Sequence, residues 1–336
     1  MHGDFILKAA KELEMSPEEI LDFASSINPF PPGDLEEVVI RAAKKARYYP
    51  ESSYSELKRV VAEHLGCGKR EVVIGNGSIE LIDAFFRFNQ GKTVTIPYPT
   101  FTEYERYASI YGLRILHRPY PGVFTDNDAD TSVICNPNNP TGDFLNLEDF
   151  RSNKPLLIDE AFIDFVENGR APGEGDNFIV RSLTKILAIP GLRFGYGRFP
   201  ESFAFKFERI RSPWHVNVIA MDVALHYLPD LNSISRKVRK IIAKERSWLT
   251  EQLDKMVLES KGKANFLLVK TPFDAEKLFH FLYTRGILIR TCKDFRGLGK
   301  EYFRIAVRSR TENEKLVENI RQFMEIMEST DPIEKL

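Results

Sequence analysis

Short apolar runs recur along the first half of the chain, at Val72–Ile74, Thr93–Ile96, Leu113–Leu116, Ser132–Cys135, Leu156–Ile158 and Phe178–Val180. Such runs, apolar on both faces, suit the buried strands of a mostly parallel sheet. Helical periodicity or turn residues separate them, so the pattern predicts alternating strands and helices. The pattern changes after about Pro213. A charged amphipathic stretch from about Leu228 to Leu258 predicts a long helix. Strands follow at Asn265–Val269, Ile287–Arg290 and Phe303–Val307, with a closing helix from Glu312. At the start, Phe5–Leu13 has helical spacing, and Asn28-Pro29-Phe30-Pro31-Pro32-Gly33 must be extended or turning because proline excludes helix at and just before itself. Ser53 and Glu56 have capping-box spacing ahead of a helix running to about Leu65. The pattern predicts an α/β protein with a large domain at 45–215 and a smaller α+β domain at 216–336, on which residues 1–44 pack.

The chain has 336 residues and shows no internal repeat or low-complexity tract. Its length suffices to bury about three quarters of the unfolded surface, so the core needs no staples. With 47 basic against 48 acidic residues, it has no general electrostatic reason to bind nucleic acid or an anionic membrane. No apolar run approaches the roughly 18 residues of a membrane span. Residues Met1 to Met15 lack the apolar block of a signal peptide, so a cytoplasmic protein is expected. Cys67, Cys135 and Cys292 lie far apart, which argues against a disulfide framework and against zinc held by cysteine pairs; no metal is expected.

The chemistry sits at the ends of the apolar runs. Asp159 closes Pro155-Leu156-Leu157-Ile158, placing a carboxylate at the carboxyl edge of the sheet, where open α/β sheets bind ligands. Alone it could equally cap the next helix. Lys185 follows the run Phe178-Ile179-Val180, with Ser182 and Thr184 just before it and Arg193 eight residues on. A lone loop lysine is ordinarily solvated, but one with a depressed pKa is a nucleophile that bonds to an aldehyde, and hydroxyls with an arginine are phosphate donors. Gly75-Asn76-Gly77-Ser78 joins a strand to a helix, and the amides of Gly77 and Ser78 would open that helix as an anion site. Asn136-Pro137-Asn138-Asn139-Pro140-Thr141-Gly142 is more specific, a rigid turn that aims the amide of Asn139. Together these groups call for a ligand with a phosphate (Ser78, Ser182, Thr184, Arg193), an aldehyde (Lys185), a basic ring nitrogen (Asp159) and a phenolic oxygen (Asn139). Pyridoxal 5'-phosphate has all four, and a carboxylate at its ring nitrogen makes the ring an electron sink.

Through the Asn136–Gly142 turn, Asp159-Glu160-Ala161, Ser182-Leu183-Thr184-Lys185 and Gly191-Leu192-Arg193-Phe194-Gly195-Tyr196, the sequence resembles the fold-type I pyridoxal-phosphate enzymes of aminotransferase class I and II. The resemblance implies a homodimer with active sites at the subunit interface. It implies that Phe101 stacks on the cofactor ring and that Tyr49 reaches the cofactor phosphate of the partner subunit. Within the group, further motifs resemble the L-threonine-O-3-phosphate decarboxylases of cobalamin biosynthesis, near relatives of the histidinol-phosphate aminotransferases. These are His2-Gly3, Asp22–Pro29, Asp159–Phe165, Ala188–Arg193, Ile287–Cys292 and Tyr302–Ser309. By this resemblance Arg308 takes the substrate α-carboxylate and Arg290 its phosphate, with Asn28 and the His2-Gly3 pair assisting. Asp4 departs from the pattern, which continues with glycine there. Phe162 stands where the aminotransferases usually carry tyrosine, and its ring has no hydroxyl to donate. The implied reaction is decarboxylation of L-threonine O-3-phosphate to 1-aminopropan-2-yl phosphate. The alternative is transamination of histidinol phosphate with 2-oxoglutarate. A non-catalytic cofactor-binding module fused to a DNA-binding domain is disfavoured, because residues 1–45 hold no basic helix-turn-helix.

Overall fold

A computed structural model describes residues 5–122, 128–147, 154–167 and 177–330. In chain order its strands are β1 (Leu21–Asp22), β2 (Val72–Gly75), β3 (Thr93–Tyr98), β4 (Arg114–Pro119), β5 (Thr131–Cys135), β6 (Leu156–Asp159), β7 (Asn177–Ser182) and β8 (Gly195–Arg198). They continue with β9 (Glu259–Lys261), β10 (Phe266–Lys270), β11 (Ile287–Leu288), β12 (Arg290–Thr291) and β13 (Tyr302–Ala306). The chain divides into two compact units, one of residues 30–139 and 143–239 and one of residues 1–29, 140–142 and 240–336.

The larger unit holds a seven-stranded sheet in the order β2-β8-β7-β6-β5-β3-β4. Strands β3 to β7 run parallel, and β8 is antiparallel to both its neighbours. Every residue of β2, β5, β6 and β7 is buried, as consecutive apolar runs require when both faces are covered. The core gathers Phe85, Phe178, Phe199 and Phe207 with aliphatic residues of β2, β3, β5 and β6. Strand β8 carries no apolar-run signal, because two of its four residues are glycine. Those glycines are steric necessities: a Cβ on Gly195 would lie 2.2 Å from the Ser78 nitrogen, and one on Gly197 2.0 Å from the Ile179 carbonyl oxygen.

The helix predicted to run to about Leu65 is not opened by a capping box. It spans Ser55–Leu65, and Tyr54 precedes it in the left-handed region at φ 50°. Glu51 does the capping instead, accepting from the Ser55 amide at 3.2 Å and from the Ser53 hydroxyl. Ser53 is thereby turned away from the helix, and this is why the predicted Ser53–Glu56 box does not form.

In the smaller unit β12-β13-β10-β9 form an antiparallel sheet, while β1 pairs in parallel with β11. The predicted run Ile287–Arg290 is therefore two strands in two sheets. The short β1 is tied down beyond its own ladder: the Ala306 amide donates to the Phe23 carbonyl at 2.7 Å and Asn265 Nδ2 to the Ser26 carbonyl at 2.7 Å. The predicted long helix spans Leu231–Lys255, and its buried residues Leu231, Ser235, Val238, Ile242, Glu245, Leu249 and Leu253 fall on one stripe at three- and four-residue spacing. Glu245 is tolerated inside because Arg310 grips it with two hydrogen bonds, at 2.9 and 3.1 Å. Among the described residues no helix is long and apolar enough to cross a membrane.

Candidate active site

Three parallel strands deliver the candidate groups of the larger unit at their carboxyl ends. The register places Cys135 of β5 opposite Asp159 of β6, and Asp159 opposite Val180 of β7. The turn after β5, Asp159 itself, and Ser182 with Lys185 after β7 are thus brought to one edge of the sheet. Strand β3 lies between β4 and β5, so the chain reverses its direction of travel across the sheet there, the kind of switch point at which α/β sheets hold ligands.

The turn after β5 is held at several points. Asn136 both donates to and accepts from the backbone of Leu145, at 2.8 and 2.9 Å. Asn138 Nδ2 donates to the Pro99 carbonyl at 2.9 Å, and its oxygen accepts from Thr100 at 2.8 Å. These bonds join the loops on the two sides of the switch point. Asn139, the next residue of the turn, is buried.

Asp159 is buried, and both its oxygens accept hydrogen bonds. Oδ1 takes the Ala161 amide at 3.0 Å and Oδ2 takes the Tyr104 hydroxyl at 2.7 Å. Burial raises its pKa to about 6, opposed by the bonds from Tyr104 and Ala161 and reinforced by the neighbouring Glu160. A carboxyl so placed is stabilised by a cation, and a protonated ring nitrogen supplies one.

At the other end, Gly77 precedes the helix Ser78–Phe88 at φ 81°, a conformation that suits glycine. A Cβ there would lie 2.5 Å from a terminal nitrogen of Arg193, so the absence of a side chain lets the guanidinium lie against the helix N-terminus. Arg193 is itself in the left-handed region at φ 57°. Ser182 Oγ donates to the Phe194 carbonyl at 3.2 Å and accepts from the Thr184 amide at 3.1 Å. Helix amides, two hydroxyls and a guanidinium form a donor set suited to a phosphate. The residues therefore fit pyridoxal phosphate at both its charged ends. Lys185 is half-buried in the short helix Leu183–Ile186 that Ser182 caps.

Phe101 is half-buried and meets Tyr104 edge to face, with centroids 5.5 Å apart. Tyr49 is 80% exposed and packs on Trp214 at 4.7 Å, an aromatic pair left on the surface of the chain. Phe162 is buried ahead of the turn Ile163–Phe165. Beneath the strand ends, Arg181 and Glu160 form a buried ion pair at 2.7 Å. It clamps β6 to β7 one residue from Asp159 and one from Ser182.

In the smaller unit Asn28 is buried. Arg290 donates to Asp294 at 2.6 Å and to the Thr291 carbonyl at 2.5 Å, with its guanidinium 5.0 Å from the centroid of the Phe295 ring. Arg308 donates from Nε and Nη2 to the same oxygen of Glu312, Oε1, at 2.9 and 2.6 Å, and from Nη1 to the Asp22 carbonyl at 3.0 Å. Burial pushes Glu312 up, but the bonds from Arg308 and Ser309 outweigh it and leave its pKa lowered. His2 and Gly3 lie outside the described residues.

The sequence reading missed two functional candidates. Tyr104 could have been sought three residues after Phe101, in the first turn of the helix Glu103–Ile110. Arg304 lies directly opposite Arg290 in the β12–β13 ladder, so both side chains leave the same face. It is buried, donates to the Ala24 carbonyl at 2.6 Å and lies 5.2 Å from the Phe266 ring centroid. Its signal was the pairing of two predicted strands, Ile287–Arg290 and Phe303–Val307, whose register the sequence does not supply.

The fold and these groups define a pyridoxal-phosphate enzyme. The aminotransferase class I and II family matches residues 18–320, and the chain belongs to that family; its cofactor is pyridoxal 5'-phosphate. The chain is 31% identical to the threonine-phosphate decarboxylase of Salmonella typhimurium, over 96% of each chain. It is also similar to the crystal structure of the histidinol-phosphate aminotransferase of Clostridium acetobutylicum, with TM-score 0.83 and 28% identity over 91% of this chain and all of that one. The fold is shared with the histidinol-phosphate aminotransferase of Sinorhizobium meliloti in complex with pyridoxal-5'-phosphate, with TM-score 0.86 and 19% identity over 97% and 96% of the two chains.

Proposed function

We propose that this chain is a cytoplasmic, homodimeric decarboxylase that converts L-threonine O-3-phosphate to 1-aminopropan-2-yl phosphate, as in cobalamin biosynthesis. The observation that carries the choice of reaction is Phe162. It is a buried ring with no hydroxyl, next to the Asp159-Glu160-Ala161 segment, where the resembled aminotransferases place a tyrosine donor. The likeness to a threonine-phosphate decarboxylase over nearly the whole chain supports it.

Bound pyridoxal phosphate supplies an aldehyde and a protonated ring that draws electrons from the substrate α-carbon. In this reading Lys185 Nζ holds the aldehyde and Asp159 keeps the proton on the ring nitrogen. Asn139 donates to the phenolic oxygen. Gly77, Ser78, Ser182, Thr184 and Arg193 hold the phosphate, and Phe101 covers the ring. Tyr49, exposed on its own chain, serves the partner subunit's cofactor phosphate.

The substrate brings a carboxylate and a phosphate, and arginine's planar fork fits both. Arg290 takes the phosphate, exchanging its bond with the partly exposed Asp294, and Asn28 assists it, as does His2-Gly3 by resemblance. For the carboxylate the resemblance nominates Arg308, but all three of its guanidinium nitrogens already donate, two to Glu312 Oε1 and one to the Asp22 carbonyl. Arg304 stands opposite Arg290 on the same sheet face, and two like charges so placed are relieved by a bound anion. We therefore assign the carboxylate to Arg304 and give Arg308 the role of holding the Asp22 backbone.

The test is an end-point assay of cofactor-loaded protein with L-threonine O-3-phosphate alone. Carbon dioxide and the amino-propanol phosphate are the expected products, with no keto acid required. Product only from histidinol phosphate with 2-oxoglutarate would replace this reaction with the transamination that the similarity to histidinol-phosphate aminotransferases favours.

A further inference from the structure

Asp159 could be fixed by the strand that carries it, but one of its two oxygens is held from elsewhere. The Tyr104 hydroxyl reaches Oδ2 at 2.7 Å from the first turn of the helix Glu103–Ile110. Tyr104 is fully buried, so this bond has no competing water. The same turn follows Phe101, and the two rings meet edge to face with an interplanar angle of 85°. One short stretch of chain thus carries both the candidate ring-stacking face and the donor to the ring-nitrogen carboxylate.

We infer that Tyr104 is a positioning residue, which orients the Asp159 carboxylate and keeps it ionised so that it can hold a proton on the cofactor's ring nitrogen. The inference rests on the cofactor roles given under Proposed function. A carboxylate with a donor on each oxygen cannot rotate about its Cβ–Cγ bond without breaking both, so its remaining lone pairs have fixed directions. The titratable groups that face this pair are few. Glu160 follows Asp159 and opposes its ionisation, while Cys135 of β5 faces Tyr104, its thiol donating to the Pro137 carbonyl at 3.2 Å. Burial and then the charge of Asp159 push the Tyr104 phenol well above its ordinary pKa, so it stays a donor across the working range. Removing it takes away the side-chain bond that holds Asp159 down near 6.

The experiment measures pyridoxal phosphate uptake by the cofactor-free protein as a function of pH, in wild type and in Tyr104→Phe, with thermal melting recorded for both. The expected result for Tyr104→Phe is about tenfold weaker uptake at pH 7. The pH at which uptake is half lost on acidification should rise by about a unit. A merely structural tyrosine would lower the melting temperature and leave that midpoint in place, which overturns the inference. Should Tyr104→Phe not fold, 3-fluorotyrosine at position 104 keeps the hydroxyl with a more acidic proton. The midpoint then moves down, and an unmoved midpoint again overturns the inference. Failure of wild type to take up pyridoxal phosphate at any pH would instead bring down the cofactor roles themselves.

Discussion

The two units handle anions in opposite ways. In the larger one most candidate cofactor groups are backbone amides, short hydroxyls, a side-chain amide and a carboxylate at strand ends, with few rotatable bonds and neighbours such as Thr184 and Tyr104 to hold them, and Lys185 and Arg193 are the long-chain members. In the smaller one they are arginines with long side chains, of which Arg290 carries a carboxylate partner of its own, Asp294. On the roles proposed above, the difference follows from what each binds. A resident cofactor is served by a site fixed in advance, because little ordering entropy is then lost on binding. A substrate that enters and leaves is served by cations whose own partner can be exchanged for it, and a pair with one half-exposed member such as Arg290–Asp294 exchanges at small cost.

The largest effect should come from Lys185→Ala, which removes both turnover and the visible absorbance of the lysine-bound cofactor. Retained absorbance would take Lys185 out of that role. Next, Asp159→Asn should lower kcat by about a thousandfold while weakening cofactor uptake less. Near-normal turnover would refute the electron-sink assignment.

The same variant tests a cost in stability. The pKa of Asp159 is raised above the unfolded value of 3.8 to about 6. Its favourable contribution is therefore full below pH 3.8 and lost as pH rises through 6, so the ionised group costs the cofactor-free fold about 3 kcal/mol at neutral pH. Asp159→Asn should then stabilise the cofactor-free protein by about 1–3 kcal/mol at pH 8, measured by denaturant unfolding, and much less at pH 4. Equal effects at both pH values would show that charge is not the cause.

On the substrate side, Arg290→Ala and Arg304→Ala should each raise KM for L-threonine O-3-phosphate by about a hundredfold, since each leaves a substrate anion unpaired. Arg308→Ala should act more weakly, through β1. If Arg308→Ala proves the more severe of the two in KM, the carboxylate returns to Arg308. The smallest effect is expected from Phe162→Tyr, which restores a hydroxyl near the phenolic oxygen and should lower the pH midpoint of the lysine-bound cofactor's absorbance by about a unit. No movement would mean that residue 162 does not reach the cofactor.

The cofactor half was legible from residue order. Strands β2 to β7 coincide with the apolar runs, and Asn139, Asp159, Ser182, Thr184 and Lys185 each follow such a run or close it, so the strand ends mark the candidate groups. Strand β8 escaped because its glycines carry no apolar signal, although the close approach of Ser78 and Ile179 requires them. The substrate half was less legible. Arg290, Arg304 and Arg308 look alike in sequence, and only the β12–β13 register and the grip of Glu312 tell them apart. Tyr104 was hidden for a similar reason, since its partner Asp159 is 55 residues away.

By itself the sequence determined the runs that become the central strands, the class of cofactor and the candidate groups proposed to meet it. These depend on local runs and on chemistry that each residue type carries with it. The tertiary structure decided which arginine faces which, what caps the helix after Tyr54, and what holds Asp159. Those are pairings between distant segments, and pairing depends on strand register and side-chain direction, which no local pattern of hydrophobic and polar residues encodes.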